Sequence, residues 1–420
     1  MKKSLIIFIL GVFIISFSLL YGLTDAKEKD KTITVGLSLI YTGPLGATST
    51  SVSNGILDHL MWINNQGGIK YKDPSTGRLE HIKMRIIWED NAYNISKSLS
   101  IYKRFKAEDS KVILIQGSSP GEAISASLSR DKIPGIVMYG YASPRGYRPE
   151  PLYYAAGYPT VIEDFCTMAK WFLSNWKKDR PARIGVMCMD VPSWRVLSEP
   201  EGTKAQIEKM GAEWLGVEWL PMMATDTSVQ ITRMINKGVD LIGMLGALPH
   251  TIVVAKDMSR LGIDLSKVTV ICNVSGWDET LLNAIPKEGE GFYGASFTPL
   301  PSEDFPGIRL AKKVAQWKDR KPEEVNLNYL PGFVFGYMLK AGLMDALEKV
   351  GYEKVTSTDI RNALFNLKDV DCGGLMPRLT VREPSYPTYG SYVRYSRIEG
   401  GQFKVVSDWI EEVKVEHGRR

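Results

Sequence analysis

The chain has 420 residues, 44% of them apolar, and a formal net charge of +5. That length suits two domains of ordinary size, each with enough apolar residues for its own core. The charge is too slight and too dispersed for a nucleic-acid surface. The histidines are His59, His81, His250 and His417, none at the i, i+4 spacing of a metal site, so a zinc enzyme is not expected and no metal or cofactor is required.

Lys2 and Lys3 precede an apolar run from Leu5 to Leu20, which gives way to Thr24-Asp25-Ala26 and the charged Lys27 to Lys31. This order is that of a secretory signal peptide, with cleavage expected after Ala26. Losing residues 1–26 would lower the charge to +4 and leave 394 residues. A retained anchor is the alternative, but Gly11, Ser16 and Ser18 weaken the run, and it falls short of the ~20 apolar residues a span needs. No cysteine precedes Cys166, so no lipid-modified N-terminal cysteine is available. Cys166, Cys188 and Cys272 lie in apolar periodic segments and read as buried free thiols, while Cys372 lies in a glycine-rich loop.

Beyond the leader, Ile33 to Ile40 reads as a buried strand and Ile56 to Ile63 as the helix after it, stopped at Gly67-Gly68. The unit recurs with Met84 to Trp88 before a helix at Ser96 to Phe105, and with Val112 to Ile115 before a helix at Ala123 to Leu128; a fourth strand follows at Ile136 to Tyr139. A second series has strands at Ile184 to Met189, Leu241 to Leu245 and Val268 to Cys272. Its helices are Thr160 to Trp176, Lys204 to Met210, Val229 to Lys237 and Thr251 to Leu261. Alternation of this kind predicts two doubly wound α/β lobes with parallel sheets. The tail departs from it: helices at Tyr329 to Leu347 and Ser357 to Asn366 precede strands at Leu379 to Val381, Tyr392 to Ile398 and Phe403 to Val406, expected to be antiparallel about Glu399-Gly400-Gly401. Asp73 to Gly77 reads as an exposed turn.

No catalytic set is complete. Gly43-Pro44-Leu45-Gly46 lacks the Lys-Ser/Thr of a phosphate loop, and Gly289-Glu290-Gly291 does not join a strand to a helix. Gly117-Ser118-Ser119-Pro120-Gly121 matches a nucleophile elbow, but the residue after Ser119 must give a backbone N–H to the oxyanion and Pro120 has none. Carboxylate pairs such as Glu89-Asp90 sit in surface-like contexts. What remains are the loops at the carboxyl ends of the strands, where open parallel sheets bind ligands. Gln116 to Gly121 opens a helix with glycines, free N–H groups and two hydroxyls suited to an anionic group, or with two serines that cap the helix.

Val35-Gly36-Leu37-Ser38 to Thr42-Gly43-Pro44, Ile63 to Ile69, Asp90 after the second strand, Gln116 to Ser119, and Tyr141-Ala142-Ser143-Pro144 follow one another in order. Together they resemble successive motifs of the type I periplasmic binding proteins, on the branch that includes the leucine/isoleucine/valine-binding protein. The resemblance spans essentially the whole chain after the leader. It implies a monomeric, non-enzymatic periplasmic protein with three strands crossing between the lobes, near Ala155 to Pro159, Tyr293 to Thr298 and Gly373 to Pro377. The first lobe would then comprise 27–155 and 297–373, and the second 156–296 and 374–420. It also implies a small-molecule ligand closed in the cleft and an ABC permease as membrane partner.

Carried onto this sequence, the resemblance gives the ligand's carboxylate to Ser118 or Ser119, Tyr141, Ala142 and Ser143, with Thr48 nearby, and lays Trp194 over the ligand. Amino-acid binders of the family hold the ammonium with a tyrosine and an acid on the second lobe. Here Ala247 stands for the tyrosine, and Val274 or Ser275 for the acid. A buried ammonium without a carboxylate would cost several kcal/mol. The expected ligand is therefore an aromatic or aliphatic carboxylic acid, its body against Tyr141, Trp194 and Trp277. Should Asp278 or Glu279 restore the missing charge, a branched-chain amino acid or amide is the alternative; a cytoplasmic amide sensor on the same fold is a further one.

Overall fold

The computed structural model describes residues 31–142, 147, 150–381, 387–389 and 392–415. The expected signal peptide and Ser143 lie outside the described residues. β1 (Thr32–Leu39) pairs in parallel with β3 (Leu79–Asp90) on one side and β4 (Val112–Ile115) on the other. With β2 (Ile69–Lys72), β5 (Gly135–Ala142) and β6 (Tyr154–Thr160) they form a six-stranded sheet in the order β2-β3-β1-β4-β5-β6. Only β2 runs antiparallel. Between these strands lie α1 (Gly46–Asn65), α2 (Ile95–Ala107) and α3 (Ser118–Asp131). Gly36 is where α2 comes closest: a Cβ there would meet the Phe105 ring at 2.6 Å.

β6 ends on Thr160, whose hydroxyl accepts from the Glu163 N–H while the Glu163 carboxylate accepts from the Thr160 N–H, so the chain enters α4 (Val161–Ser174) through a capping box. The second lobe follows with β7 (Arg183–Met189), α5 (Ala205–Lys209), β8 (Glu213–Leu220), α6 (Ser228–Asn236), β9 (Leu241–Leu245), α7 (Leu248–Arg260), β10 (Thr269–Cys272), α8 (Thr280–Ala284) and β11 (Tyr293–Ser296). The chain then returns to the first lobe as α9 (Pro306–Trp317), α10 (Tyr329–Val350) and α11 (Ser357–Leu364). α10 packs its buried face on α1, with Gly55 and Gly332 at backbone contact.

Finally β12 (Tyr392–Glu399), β13 (Gln402–Val405) and β14 (Ile410–Glu411) complete the second sheet, ordered β13-β12-β11-β10-β9-β7-β8 with β14 on β12. Two expectations for this tail need correction. Leu379 makes a single antiparallel bridge to Val370 and takes no part in the β12–β13 hairpin. The third passage also lies later than Gly373 to Pro377. Leu375, Met376, Leu379, Val381 and Tyr389 all pack in the first-lobe core, Thr388 bridges Ala156, and the second sheet resumes at Tyr392. The glycine pair was misleading because it serves contact, not a hinge: Gly373 accepts from the Gly307 N–H at 2.7 Å. Residues 374–381 and 387–389 therefore pack with the first lobe.

The four cysteines are buried and unpaired, and burial pushes the thiols of Cys166, Cys272 and Cys372 up to about 12. Among the described residues no cluster of His, Cys, Asp and Glu is suited to a metal ion, and no helix is long and apolar enough to cross a membrane.

Candidate ligand-binding cleft

The carboxyl ends of both parallel sheets face one another across a narrow cleft. On the first lobe, the loops at that end are tied down by buried side-chain amides. Gln116 Oε1 accepts from the Ile40 N–H (2.8 Å) and Ser53 Oγ (2.6 Å), and its Nε2 donates to Ser49 O (3.0 Å). Asn91 Nδ2 donates to Ser38 Oγ (3.0 Å) and Gln116 O (3.2 Å). Asp90 accepts from the Tyr41 N–H (2.9 Å), the Ala92 N–H (3.0 Å) and the Thr42 hydroxyl. Its desolvation would raise the carboxyl, but those donors prevail and hold it at about 2. Gly117 is obligatory: its φ is +100° and a Cβ would meet the Tyr93 ring at 2.8 Å.

These ties present Leu45, Thr48, Ser49, Gly117 and Ser118 to the cleft, opposite Met189, Trp194, Ala247 and Ser275 of the second lobe. The gap holds about 400 Å³ of unfilled space, part of it open to solvent. The lobes touch directly where Ser193 Oγ donates to Ser118 Oγ and accepts from Ser119 Oγ, each at 3.0 Å. Thr48 Oγ1 and Trp194 Nε1 line the gap, buried and without a hydrogen-bond partner.

Three helices begin at this gap: α1 after Leu45, α3 after Gly117 and α7 after Ala247, and none of these N-terminal residues supplies a side-chain cap. Pro120 and Pro249 bring no N–H to these first turns, and Gly46 and His250 give theirs to Gly43 O (3.1 Å) and Ala247 O (2.9 Å). What converges is the remaining first-turn N–H groups, those of Ser118 and Ser119 among them, with the positive ends of three dipoles. The residues lining the gap include no acidic and no basic side chain. Such a surface favours a negatively charged group. Ser118 and Ser119 lie inside the first turn of α3, after Gly117 as its cap, so the alternative of serine capping does not apply.

Of the residues singled out from sequence, Thr48, Ser118, Trp194, Ala247 and Ser275 line the gap, and Ser119 borders it through Ser193. Ala142 ends β5. Two residues need correction. Trp277 is fully buried in the second-lobe core, where its Nε1 donates to Ser396 Oγ at 2.8 Å and its ring stacks on Phe403 at 4.6 Å. Tyr141 is also buried; its hydroxyl donates to Asp164 at 2.7 Å, and its ring supports Trp194 edge-on at 5.4 Å instead of reaching the gap. In each case a distant polar partner, Ser396 or Asp164, draws the ring inward. Gln116, Asn91, Tyr93 and Ser193 shape the cleft and were not singled out as site residues; two of them, Gln116 and Ser193, stand inside motifs already quoted or beside Trp194.

Asp278 and Glu279 do not face the gap as free charges. Asp278 Oδ2 accepts from Asn328 Nδ2 at 2.6 Å, Asp278 Oδ1 accepts from the Thr280 N–H at 2.8 Å, and Glu279 Oε2 accepts from the Leu327 N–H at 3.0 Å.

A family model described as "Periplasmic binding protein" matches residues 32–386. The chain belongs to that family. Among solved structures, a branched chain amino acid ABC transporter protein from Thermus thermophilus with bound valine is similar at a TM-score of 0.77 and 16% identity, over 92% of this chain and 97% of that one. A fatty acid ABC transporter substrate-binding protein from Thermomonospora curvata gives 0.73 and 19%, over 91% and 93%. A solute-binding protein from R. palustris in complex with 4-hydroxybenzoate gives 0.72 and 17%, over 92% and 98%. At these identities the likeness is one of fold. No curated protein sequence matches the chain.

Proposed function

We propose that this chain is the exported, solute-binding component of an ABC importer and that it closes without chemistry on a small carboxylate, an aromatic or aliphatic acid. The convergence of three uncapped helix N-termini on a gap without a charged side chain carries this reading. In it the carboxylate is held by the α3 N–H groups, Ser118 and Ser119. The unpartnered Thr48 hydroxyl and Trp194 indole N–H take its remaining oxygen lone pairs or a second polar group, and the Trp194 ring covers the body. Ligand stabilises the shut form through contacts from both lobes, which a permease then recognises. Export to the periplasm is supported by the family and by the order of residues at the N-terminus.

Binding of branched-chain amino acids is the second reading, favoured by the likeness to the valine-bound protein. Against it, Asp278 and Glu279 already accept from Asn328 and Leu327. A thermal-shift panel of aromatic acids, aliphatic acids and amino acids separates the two. Stabilisation by benzoates or fatty acids is expected, and stabilisation by leucine or valine alone would sink the carboxylic-acid reading. Mass spectrometry of the incubated acids should return them unchanged; a product would make the protein an enzyme.

A further inference from the structure

The loop leading into α10 reaches from one lobe into the other. Val325 packs in the first-lobe core, but Leu327, two residues on, is buried in the second-lobe core. The loop is preformed by Asn326, whose Oδ1 accepts from the Asn328 and Tyr329 N–H groups (3.0 and 2.9 Å) and whose Nδ2 donates to Ser51 Oγ on α1 (3.3 Å). Against it the second lobe sets two adjacent carboxyls, Asp278 on the Asn328 amide and Glu279 on the Leu327 N–H.

We propose that Asp278 and Glu279 clasp the 326–328 loop as a proton-dependent latch, so that the lobes shut with uptake of protons and part as pH rises. The first lobe brings two amide donors to this contact, the Asn328 side chain and the Leu327 N–H. Of the charged residues that precede the loop, Glu324 pairs with Arg320, Arg320 also with Asp58, and Lys321 and Glu323 are exposed. On the second lobe the charge acting on Glu279 is Asp278 itself, while His250 on the neighbouring α7 turns its Nε2 to Pro221 O at 3.0 Å. Burial beside a like charge favours the protonated form, and the Asn328 and Leu327 donors offset only part of this. Burial raises Asp278 above the usual carboxylate range, and burial with the Asp278 charge lifts Glu279 to about 7.

The sign follows from linkage. Withdrawal of the loop exposes both carboxyls and returns them towards ordinary values, so the shut form holds more protons between the two sets of values. Through Glu279 the shut form loses ground by up to tenfold per pH unit between about 4.5, the ordinary glutamate value, and about 7, and Asp278 adds to the loss in the same direction. This holds whatever ligand the cleft accepts.

Small-angle X-ray scattering of the ligand-free full chain at pH 5.5, 6.5, 7.5 and 8.5 tests the latch, together with hydrogen exchange at the Leu327 amide corrected for its intrinsic pH dependence. The radius of gyration should grow and Leu327 protection should fall at least tenfold between the lowest and highest pH. Glu279→Gln, which keeps an acceptor but never ionises, should hold both readouts near their low-pH values throughout. Leu327→Ala, a loop change that leaves both lobe cores otherwise whole, should be expanded at every pH. Wild-type readouts that do not move with pH overturn the latch, as does Glu279→Gln following the wild-type curve or Leu327→Ala staying compact.

Discussion

At the cleft, the first lobe ties its loops with side-chain amides, whereas the second relies on fewer polar bonds and more packing. Gln116 alone joins the end of β1, the first turns of α1 and the loop before α3, by three hydrogen bonds. The corresponding second-lobe amide, Asn273, ties the loop after β9 through one, accepting from the Gly246 N–H at 3.1 Å. The first lobe thus presents a gap wall fixed by hydrogen bonds, and the second a tryptophan, an alanine and a serine fixed by packing. Under the proposed function, the first would hold the charged head of a ligand and the second would set the shape of its body.

Breaking the two amides should show the asymmetry most strongly. Gln116→Leu leaves the Ile40 N–H buried without a partner and removes two further bonds, although the Ser53 hydroxyl keeps the Ile40 and Ser49 carbonyls as acceptors, so a loss of about 2–3 kcal/mol is expected. Asn273→Leu orphans only the Gly246 N–H and should cost about 1–2 kcal/mol. Urea unfolding monitored by tryptophan fluorescence measures both, and equal losses would remove the distinction drawn between the lobes.

Under the proposed function, the second lobe's contribution to binding rests on one of two tryptophans that the sequence treats alike. Trp194→Ala should weaken the ligand found by the thermal-shift panel by about thirtyfold, roughly 2 kcal/mol, and should also lower the urea midpoint, since the ring is buried against Tyr141 in the second-lobe core. Trp277→Phe should lower stability alone, by about 1 kcal/mol or more with the bond to Ser396 and the lost ring volume, and leave titration calorimetry of the same ligand unchanged. A binding defect in Trp277→Phe would return that ring to the cleft.

Why Trp194 and Trp277 could not be told apart illustrates what was legible. Strand and helix periodicity is local, so β1, β4, β7, β9 and the helices between them follow from apolar spacing alone. β8 was missed because Trp214, Leu215, Gly216 and Val217 are all half-buried and show no clean alternation. α9 was missed because its core contacts are small or widely spaced, Gly307, Ile308, Ala311, Val314 and Ala315. The family's order of motifs located the cleft loops, but it could not give the direction in which a side chain leaves a strand end. For Trp277 that direction is set by Ser396, 119 residues later, and for Leu327 by the opposite lobe's core. Non-local partners decide such positions.

The lobes also bury ionisable groups of opposite kind, and pH separates them with the smallest of these effects. His59 on α1 stacks on Phe333 at 3.8 Å, and its Nδ1 lies 2.6 Å from the Phe333 carbonyl, so that nitrogen carries a proton and donates it. Burial, with Lys340 adding to it, lowers His59 from 6.5 to about 4, so the native ring stays neutral while the unfolded one takes up a proton. First-lobe stability is therefore lost as pH falls from about 6.5 towards 4, by about 1 kcal/mol between pH 6.5 and 5.5. Asp164 on α4 has the opposite sign. Burial pushes its carboxyl well above the usual range, so its contribution is greatest below the unfolded value of 3.8 and is lost as pH rises towards neutrality. His59→Gln should accordingly flatten the acid side of the stability–pH curve, and Asp164→Asn, which imitates the protonated acid, the neutral side. Urea midpoints at pH 5.5, 6.5 and 7.5 would record the two changes as opposite tilts about the wild-type line. Tilts of the same sign would mean that the Tyr141 hydroxyl holds Asp164 as a carboxylate, and the support beneath Trp194 would then be a charged hydrogen bond.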